Sequence, residues 1–398
     1  MTIVHIAFQY GCCNTGGAAI AASRLHCALL ASGVESHYVC LIRREKGENI
    51  HELPCGLRRK LFFTLTKFFR GIWRLTPIGK SVCLNIVPLY GLEKLLRNLR
   101  PDVVHVHWIN LDVASFAQLG RLPYPVVFNL HDLFPLIGLE FGHPADERYI
   151  EGYTQRNSGI LERFVWNRKR KMVQKLWPSF VGPSKWVVEC CRRSLIARNR
   201  PCFVVSNLVD EVFRYDARRC VRNEKFVILF GAYAGTRNPF KGWDDLVAAF
   251  NRLPLEILKG AEVWVVGESA PDNSVCGMPL RFLGAVNDAQ RMCDIYHQAD
   301  LFVFPSKKET QGMMKIEALL CGLPVVAFDR TGCAEGVEHN LTGWIAHDVD
   351  EFAQGISSAF FNRIDREKIA ERAREMFSTR RIVDSMNAVY SQAIERRA

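Results

Sequence analysis

Short, continuous apolar runs alternate with helical stretches from one end of this chain to the other, and that rhythm constrains the fold more than any other feature. Ile3–Phe8, Ser36–Leu41, Val103–His107, Val126–Leu130 and Phe180–Gly182 form one set of candidate strands. Phe203–Val205, Phe226–Phe230, Val263–Val266, Arg281–Leu283, Leu301–Phe304 and Val325–Ala327 form a second. A strand with one wet face alternates apolar and polar residues. Most of these runs do not, which is the pattern of strands buried on both faces of a parallel sheet. Parallel neighbours need a crossover, and the intervening helical stretches supply it, so the sequence predicts βαβ units in an α/β fold.

The 398 residues exceed one ordinary domain and suit two of about 200 residues each. The polar stretch Tyr215–Asn223 precedes a fresh strand at Phe226 and places the break near Asn207–Asn223. The predicted layout is a first domain over 1–206, a second over 207–375, and a terminal helix over 376–398 that packs back on the first domain.

Composition narrows the class. Apolar residues make up 48% and charged residues 23%, as in ordinary globular chains. Met1–Phe8 alternates like a first strand and is too short for a signal peptide, and no apolar stretch reaches the ~18 residues of a membrane span. The expected location is therefore the cytoplasm. The 14 cysteines include the pairs Cys12-Cys13 and Cys190-Cys191 but no C-x-x-C, which points to unpaired thiols in a reducing compartment and away from zinc or redox motifs. Residues 1–200 hold 28 Lys+Arg against 14 Asp+Glu, whereas the whole chain carries +11, so the first half is the basic one and expects an anionic partner. No nucleic-acid module accompanies that charge, and no nucleic-acid partner is expected. No G-x-G-x-x-G follows the first strand, which argues against a nicotinamide enzyme.

The densest functional signal is Leu301–Ala327. A buried strand ends at Pro305, and a loop carrying Glu309 and Gly312 follows. A helix then runs from about Met313 to Leu320 and stops at Gly322, before a new strand after Pro324. Ligands of open α/β sheets bind at the carboxyl ends of strands. The backbone N–H groups around Gly312, Met313 and Met314 and the positive end of the helix suit a diphosphate. Glu309 can accept hydrogen bonds from sugar hydroxyls, and Glu317, one turn into the helix, from ribose hydroxyls. Upstream, Phe230–Leu246 follows a strand, opens a helix, and carries Arg237 and Lys241-Gly242.

Two glutamates at this spacing, with Gly312 between them and Cys321-Gly322-Leu-Pro324-Val-Val behind, resemble the retaining glycosyltransferases of the GT-B fold, and more narrowly family 4, which builds bacterial polysaccharides. Gly332, Glu335 and Gly343 extend the likeness, which covers nearly the whole chain. The resemblance implies two Rossmann-like domains facing across a deep cleft. It implies that Glu309 contacts the transferred sugar, that Glu317 contacts the ribose, and that Gly312, Met313 and Met314 hold the diphosphate together with Lys241 and Arg237. Phe240 stands where the nearest subgroup carries Arg, and Arg237 is the substitute. The implied donor is a UDP- or GDP-sugar. The implied acceptor is a glycan or polyprenyl-diphosphate-linked glycan in polysaccharide or lipopolysaccharide assembly. The reaction would retain configuration and use no metal and no cofactor. A nucleotide-sugar epimerase of the same fold is the alternative, and the Glu309/Glu317 pair disfavours it. Asp348-Val-Asp350 spells a metal-binding D-x-D, but its place before a helix reads as a surface turn with Asp350 as the cap.

In the first half, Gly16 and Gly17 follow the first strand and open a helix, where glycine lets a backbone approach a phosphate or sugar. His131 ends the strand Val126–Leu130. It resembles the family's active-site histidine, which positions the donor sugar, with Asp132 orienting it. His105 and His107 lie two apart on a strand and share a face; a metal pair is conceivable there, and a structural or cleft-edge role is preferred. Leu57–Arg74 puts Leu57, Leu61, Leu65, Phe68, Phe69 and Ile72 on one helical stripe flanked by cations, and Arg163–Lys175 is a second cationic helix. Both suit an anionic membrane surface, so the chain is expected to sit peripherally on the inner face of the cytoplasmic membrane. Leu139–Tyr149, which carries no Cys where near relatives have a Gly/Cys-rich insert, is expected to shape the acceptor site.

Overall fold

The computed structural model describes residues 1–11, 16–53, 84–109, 113–139, 147–221, 223–232 and 234–397. The amphipathic stretch 57–74, the Cys12-Cys13 pair, Asn14 and positions 140–146 lie outside the described residues.

The chain divides into two compact units, Met1–Ser206 with Val383–Ala398, and Asn207–Ile382. In the first, the strands are β1 (Thr2–Ile6), β3 (Glu35–Cys40), β5 (Ile50–Glu52), β6 (Val103–Val106), β7 (Val126–Asn129), β8 (Ser179–Gly182) and β9 (Cys202–Val204). They form a seven-stranded sheet in the order β5-β3-β1-β6-β7-β8-β9. Every pairing in it is parallel. Phe203–Val205, grouped above with the second strand set, therefore belongs to the first sheet as its edge, paired with β8. Two short strands, β2 (Gln9–Tyr10) and β4 (Ile42–Arg43), pair beside it. Val4, Ile6, Val104, Val106 and Phe128 are fully buried, which explains the continuous apolar runs. Each such side chain contributes about 1.5–3 kcal/mol by leaving water.

The second unit repeats the plan. Its strands are β10 (Phe226–Gly231), β11 (Ala261–Val266), β12 (Asn273–Val275), β13 (Met278–Gly284), β14 (Leu301–Phe304), β15 (Val325–Phe328) and β16 (Gly343–Ala346). The order is β12-β13-β11-β10-β14-β15-β16. Only β12 runs antiparallel, as a hairpin partner of β13. The edge strands β12 and β16 were not expected from the sequence. The helix Val349–Phe361 is capped by Asp348, whose carboxylate accepts from the Glu351 N–H at 2.9 Å. Asp350, expected to be the cap, instead sits in the first turn and pairs with Arg252.

In each sheet one central strand has neighbours reached by chain running in opposite directions. β1 lies between β3 and β6, and β10 between β11 and β14. Loops leaving such a switch point diverge and open a crevice at the carboxyl ends of the strands. The terminal helix Thr379–Glu395 carries the chain back to the first unit, where Tyr390 is fully buried and its hydroxyl lies 2.8 Å from His105 Nδ1. Among the described residues, no helix is long and apolar enough to cross a membrane.

Candidate active site

The second unit's switch point gathers most of the residues singled out in its sequence. The loop leaving β10 carries Arg237 and Lys241, and the loop leaving β14, its parallel neighbour, carries Glu309. Lys241 Nζ donates to Glu309 Oε2 at 2.6 Å, with both side chains about a fifth to a quarter exposed (24% and 21%). The β10 loop must pass tightly over Pro305. Gly242 has φ +71°, and a Cβ there would lie 2.0 Å from the Pro305 carbonyl oxygen. Arg237 pairs with Glu268 at 2.8 Å. Glu268 also accepts from the Thr236 N–H and hydroxyl, each at 2.8 Å, so this buried carboxylate ties down the whole turn. Sequence reasoning missed Glu268. Its only signal was its place two residues past the apolar run Val263–Val266.

The helix Met313–Leu320 starts at the residue expected. Gly312 is its N-cap at φ +83°, and a Cβ there would lie 2.4 Å from Phe304 Cζ. A left-handed backbone against an aromatic ring admits only glycine. Gly312 has no side chain to cap the helix, so the backbone N–H groups of Met313 and Met314 keep the positive end of the dipole. Glu317 is buried and accepts from the Tyr296 hydroxyl at 3.2 Å. The Glu309 loop is fixed from behind: the Glu309 N–H donates to Thr331 Oγ1 at 2.9 Å, and the Gly332 N–H to the Glu309 carbonyl at 2.9 Å. Lys315, also missed, is fully buried on the same helix. Its ammonium donates to the carbonyls of Gly332 (3.3 Å), Cys333 (2.6 Å) and Glu335 (2.6 Å). Burial lowers its pKa to about 8.

In the first unit, His131 follows β7. It meets His107 Nδ1 through Nε2 at 3.0 Å, and Asn129 Nδ2 lies 3.1 Å from Nε2. Burial pulls its pKa down to about 3, so the ring is neutral at physiological pH. Asp132 was expected to orient this ring. Its carboxylate accepts from Trp108 Nε1 at 3.0 Å and from the Phe134 N–H at 2.9 Å, which fixes the turn after the strand. Gly16 is the N-cap of the helix Gly17–Ala31. It has an ordinary φ of −77°, and a Cβ there would touch nothing. The fold alone does not require glycine at that position.

Among the described residues, two clusters gather three metal-type side chains each: His5, His105 and His107, and Cys293, His297 and Cys321. In the second, His297 Nε2 accepts from the Asp216 N–H at 3.1 Å and Nδ1 donates to the Cys293 carbonyl at 2.7 Å, so both ring nitrogens are committed to the backbone. In the first, His5 Nδ1 and His107 Nε2 are 2.8 Å apart and hydrogen-bonded to each other. Chemically, the second unit offers a cation, open helix N–H groups and two carboxylates, a set matched to an anion that carries hydroxyls on both sides.

Residues 15–213 match the family profile described as Glycosyltransferase Family 4, and residues 225–362 match that described as Glycosyl transferases group 1. A D-inositol 3-phosphate glycosyltransferase of Geodermatophilus obscurus is 34% identical over 322 residues, spanning 75% of this chain and 68% of its own. The chain belongs to glycosyltransferase family 4. This glycosyltransferase also aligns with the D-inositol 3-phosphate glycosyltransferase of Mycolicibacterium smegmatis, 29% identical over 185 residues, which is 41% of this chain and 40% of that relative. Among solved structures, a sucrose-phosphate synthase from Thermosynechococcus elongatus superposes with TM-score 0.66 at 17% identity, covering 99% of both chains. Anabaena HepE, crystallised with UDP-glucose, superposes with TM-score 0.60 at 14% identity, covering 98% of this chain and 100% of that one. These likenesses place the glycosyltransferase's two parallel-sheet units in the GT-B fold.

Proposed function

We propose that this glycosyltransferase takes its sugar from a UDP- or GDP-linked donor and transfers it, with retention of configuration and without a metal, to a glycan or lipid-diphosphate-linked glycan in bacterial polysaccharide or lipopolysaccharide assembly. The observation that carries the reading is the convergence of Lys241, Glu309, the Gly312 helix start and buried Glu317 at one switch point. The incoming diphosphate draws Lys241 away from Glu309. Lys241 and the N–H groups of Met313 and Met314 then offset its charge, most of all as it leaves. Glu309, freed of its cation, accepts from hydroxyls of the transferred sugar, and Glu317 from the ribose. His131, a neutral ring, is the first unit's contact to that sugar.

In the proposed step the bond from the anomeric carbon to the diphosphate oxygen breaks as the acceptor oxygen bonds the same face of that carbon. The acceptor's hydroxyl proton passes to the departing phosphate oxygen. No protein nucleophile is needed, and the enzyme acts by placement and charge.

The relative crystallised with UDP-glucose and a neighbour described as involved in lipopolysaccharide biosynthesis favour this donor and pathway class. The relatives described as D-inositol 3-phosphate glycosyltransferases favour a second acceptor class, a small phosphorylated polyol. For a lipid-linked acceptor, a peripheral position on an anionic membrane is supported by the helix Ile160–Leu176. It carries Arg163, Arg168, Arg170, Lys171 and Lys175 beside exposed Ile160 and Phe164.

The test is a thermal-shift panel of UDP- and GDP-sugars, since a ligand of the native state raises apparent stability. It is followed by NMR of the product formed with lipid-linked and polyol acceptors in chelator. One nucleotide sugar should stabilise the chain and yield a product with the donor's α configuration. No stabilisation by any donor, or an inverted product, refutes the reading. Conversion of the donor in the absence of acceptor would favour an epimerase.

A further inference from the structure

Histidines crowd the core of the first unit. His5 on β1 stands in register with His105 on β6, His107 lies just past β6, and His131 just past β7. Three of them form a continuous hydrogen-bonded chain across the three strands. His5 Nδ1 meets His107 Nε2 at 2.8 Å, and His107 Nδ1 meets His131 Nε2 at 3.0 Å. We propose that His107 and His5 are positioning residues for His131, and that the His5–His107–His131 chain holds His131 in its Nδ1–H tautomer, so that it meets the transferred sugar as a hydrogen-bond donor. The inference rests on the proposed contact between His131 and that sugar.

A neutral imidazole carries one N–H, so each contact in the chain uses one proton and dictates the next ring's tautomer. Two arrangements satisfy both contacts. In one, His5 Nδ1–H donates to His107 Nε2, His107 Nδ1–H donates to His131 Nε2, and the proton of His131 sits on Nδ1. In the other, every donor is reversed, and the proton of His5 sits on Nε2. His5 is fully buried and its Nε2 has no partner. A buried N–H without an acceptor is the rarer and costlier defect, so the first arrangement wins.

The surroundings keep the rings neutral and in place. Burial and the neighbouring imidazoles hold the pKa values of His5 and His107 well below the ordinary histidine value. His105 packs against His107 with ring centroids 4.0 Å apart and ring planes tilted by 36°, and is itself tied to Tyr390 by a 2.8 Å contact. His107 thus packs against a ring that is itself hydrogen-bonded to the terminal helix.

The test uses the full chain labelled with ¹⁵N-histidine and long-range ¹H–¹⁵N correlation, which tells the two tautomers apart. His107→Phe keeps a ring and removes both nitrogens. His107→Asn keeps an N–H near the position of Nδ1. The wild type should show His131 as Nδ1–H. His107→Phe should show a mixture or Nε2–H, with kcat lowered about tenfold and the donor KM little changed. His107→Asn should restore the tautomer and most of the turnover. An Nε2–H ring in the wild type overturns the proposal. So does a His107→Phe enzyme with an unaltered tautomer or unaltered kcat. If His107→Phe does not fold, the wild-type spectrum still decides. His131→Ala is assayed in parallel: full activity there removes the sugar contact, while the tautomer readout continues to judge the chain.

Discussion

Lys241 and Glu309, 68 residues apart in sequence, form an ion pair with Nζ 2.6 Å from Oε2. The pair joins the two loops that leave neighbouring strands of the second sheet, so each loop is held where the other needs it. Such a partly exposed pair contributes about 1 kcal/mol or less to stability. Its loss should therefore spare the fold and show in catalysis. Lys241→Ala is expected to raise the donor KM and lower kcat/KM by about a hundredfold, with melting unchanged within a degree or two. Steady-state kinetics with varied donor checks this, and an unaltered kcat/KM contradicts it.

Gly312 has no room for a side chain, because a Cβ would press into the Phe304 ring at 2.4 Å from a backbone at φ +83°. Gly312→Ala should cost about 1–3 kcal/mol through strain and clash. Because the helix start shifts with it, donor affinity should fall as well. Chemical denaturation and donor titration measure the two losses separately.

Lys315→Met removes an ammonium that serves three buried or half-buried carbonyls, those of Gly332, Cys333 and Glu335. Each acceptor left unmet costs about 1–3 kcal/mol, so the variant should be destabilised by roughly 3 kcal/mol or more. Urea melts of the two proteins decide the point. Equal midpoints would show that the loop finds other donors.

The histidine-rich core predicts an acid-sensitive first unit. The pKa values of His5 and His107 are well below the ordinary value, that of His26 is about 4, and those of His105 and His131 are about 3, in each case chiefly through burial. In the unfolded chain these rings titrate near 6.5. Below that pH the unfolded state binds more protons than the folded state, so stability is full above about 6.5 and is lost as pH falls from there toward about 3. Each ring contributes a slope of up to about 1.4 kcal/mol per pH unit. Denaturation at pH 7.5 and 5.5 should show a clearly lower midpoint at 5.5, and equal midpoints would contradict the burial of these rings.

The sequence revealed features that local chemistry dictates. The helix Met313–Leu320 was readable because Gly312 and Gly322 bracket it, and both adopt positive φ. β14 was readable because both faces of Leu301–Phe304 are buried. Features that depend on which strands become neighbours were hidden. Nothing in the sequence links His5 to His107, yet the β1–β6 pairing makes their contact almost inevitable. Glu268 and Lys315 escaped notice because their partners, Thr236 and Arg237 in one case and the Gly332–Glu335 turn in the other, come from other loops. β16 is four residues long and takes its place by pairing with β15 and burying Trp344 and Ala346. Asp348 rather than Asp350 caps the helix that follows, a two-residue shift that composition cannot resolve.

The most direct test is a crystal structure of the chain with its nucleotide-sugar donor. The diphosphate should lie against the N–H groups of Met313 and Met314 within reach of Lys241, with ribose hydroxyls on Glu317 and the sugar on a Glu309 carboxylate released from the lysine. A donor bound away from the carboxyl ends of β10 and β14, with the Lys241–Glu309 pair still closed, would contradict the account.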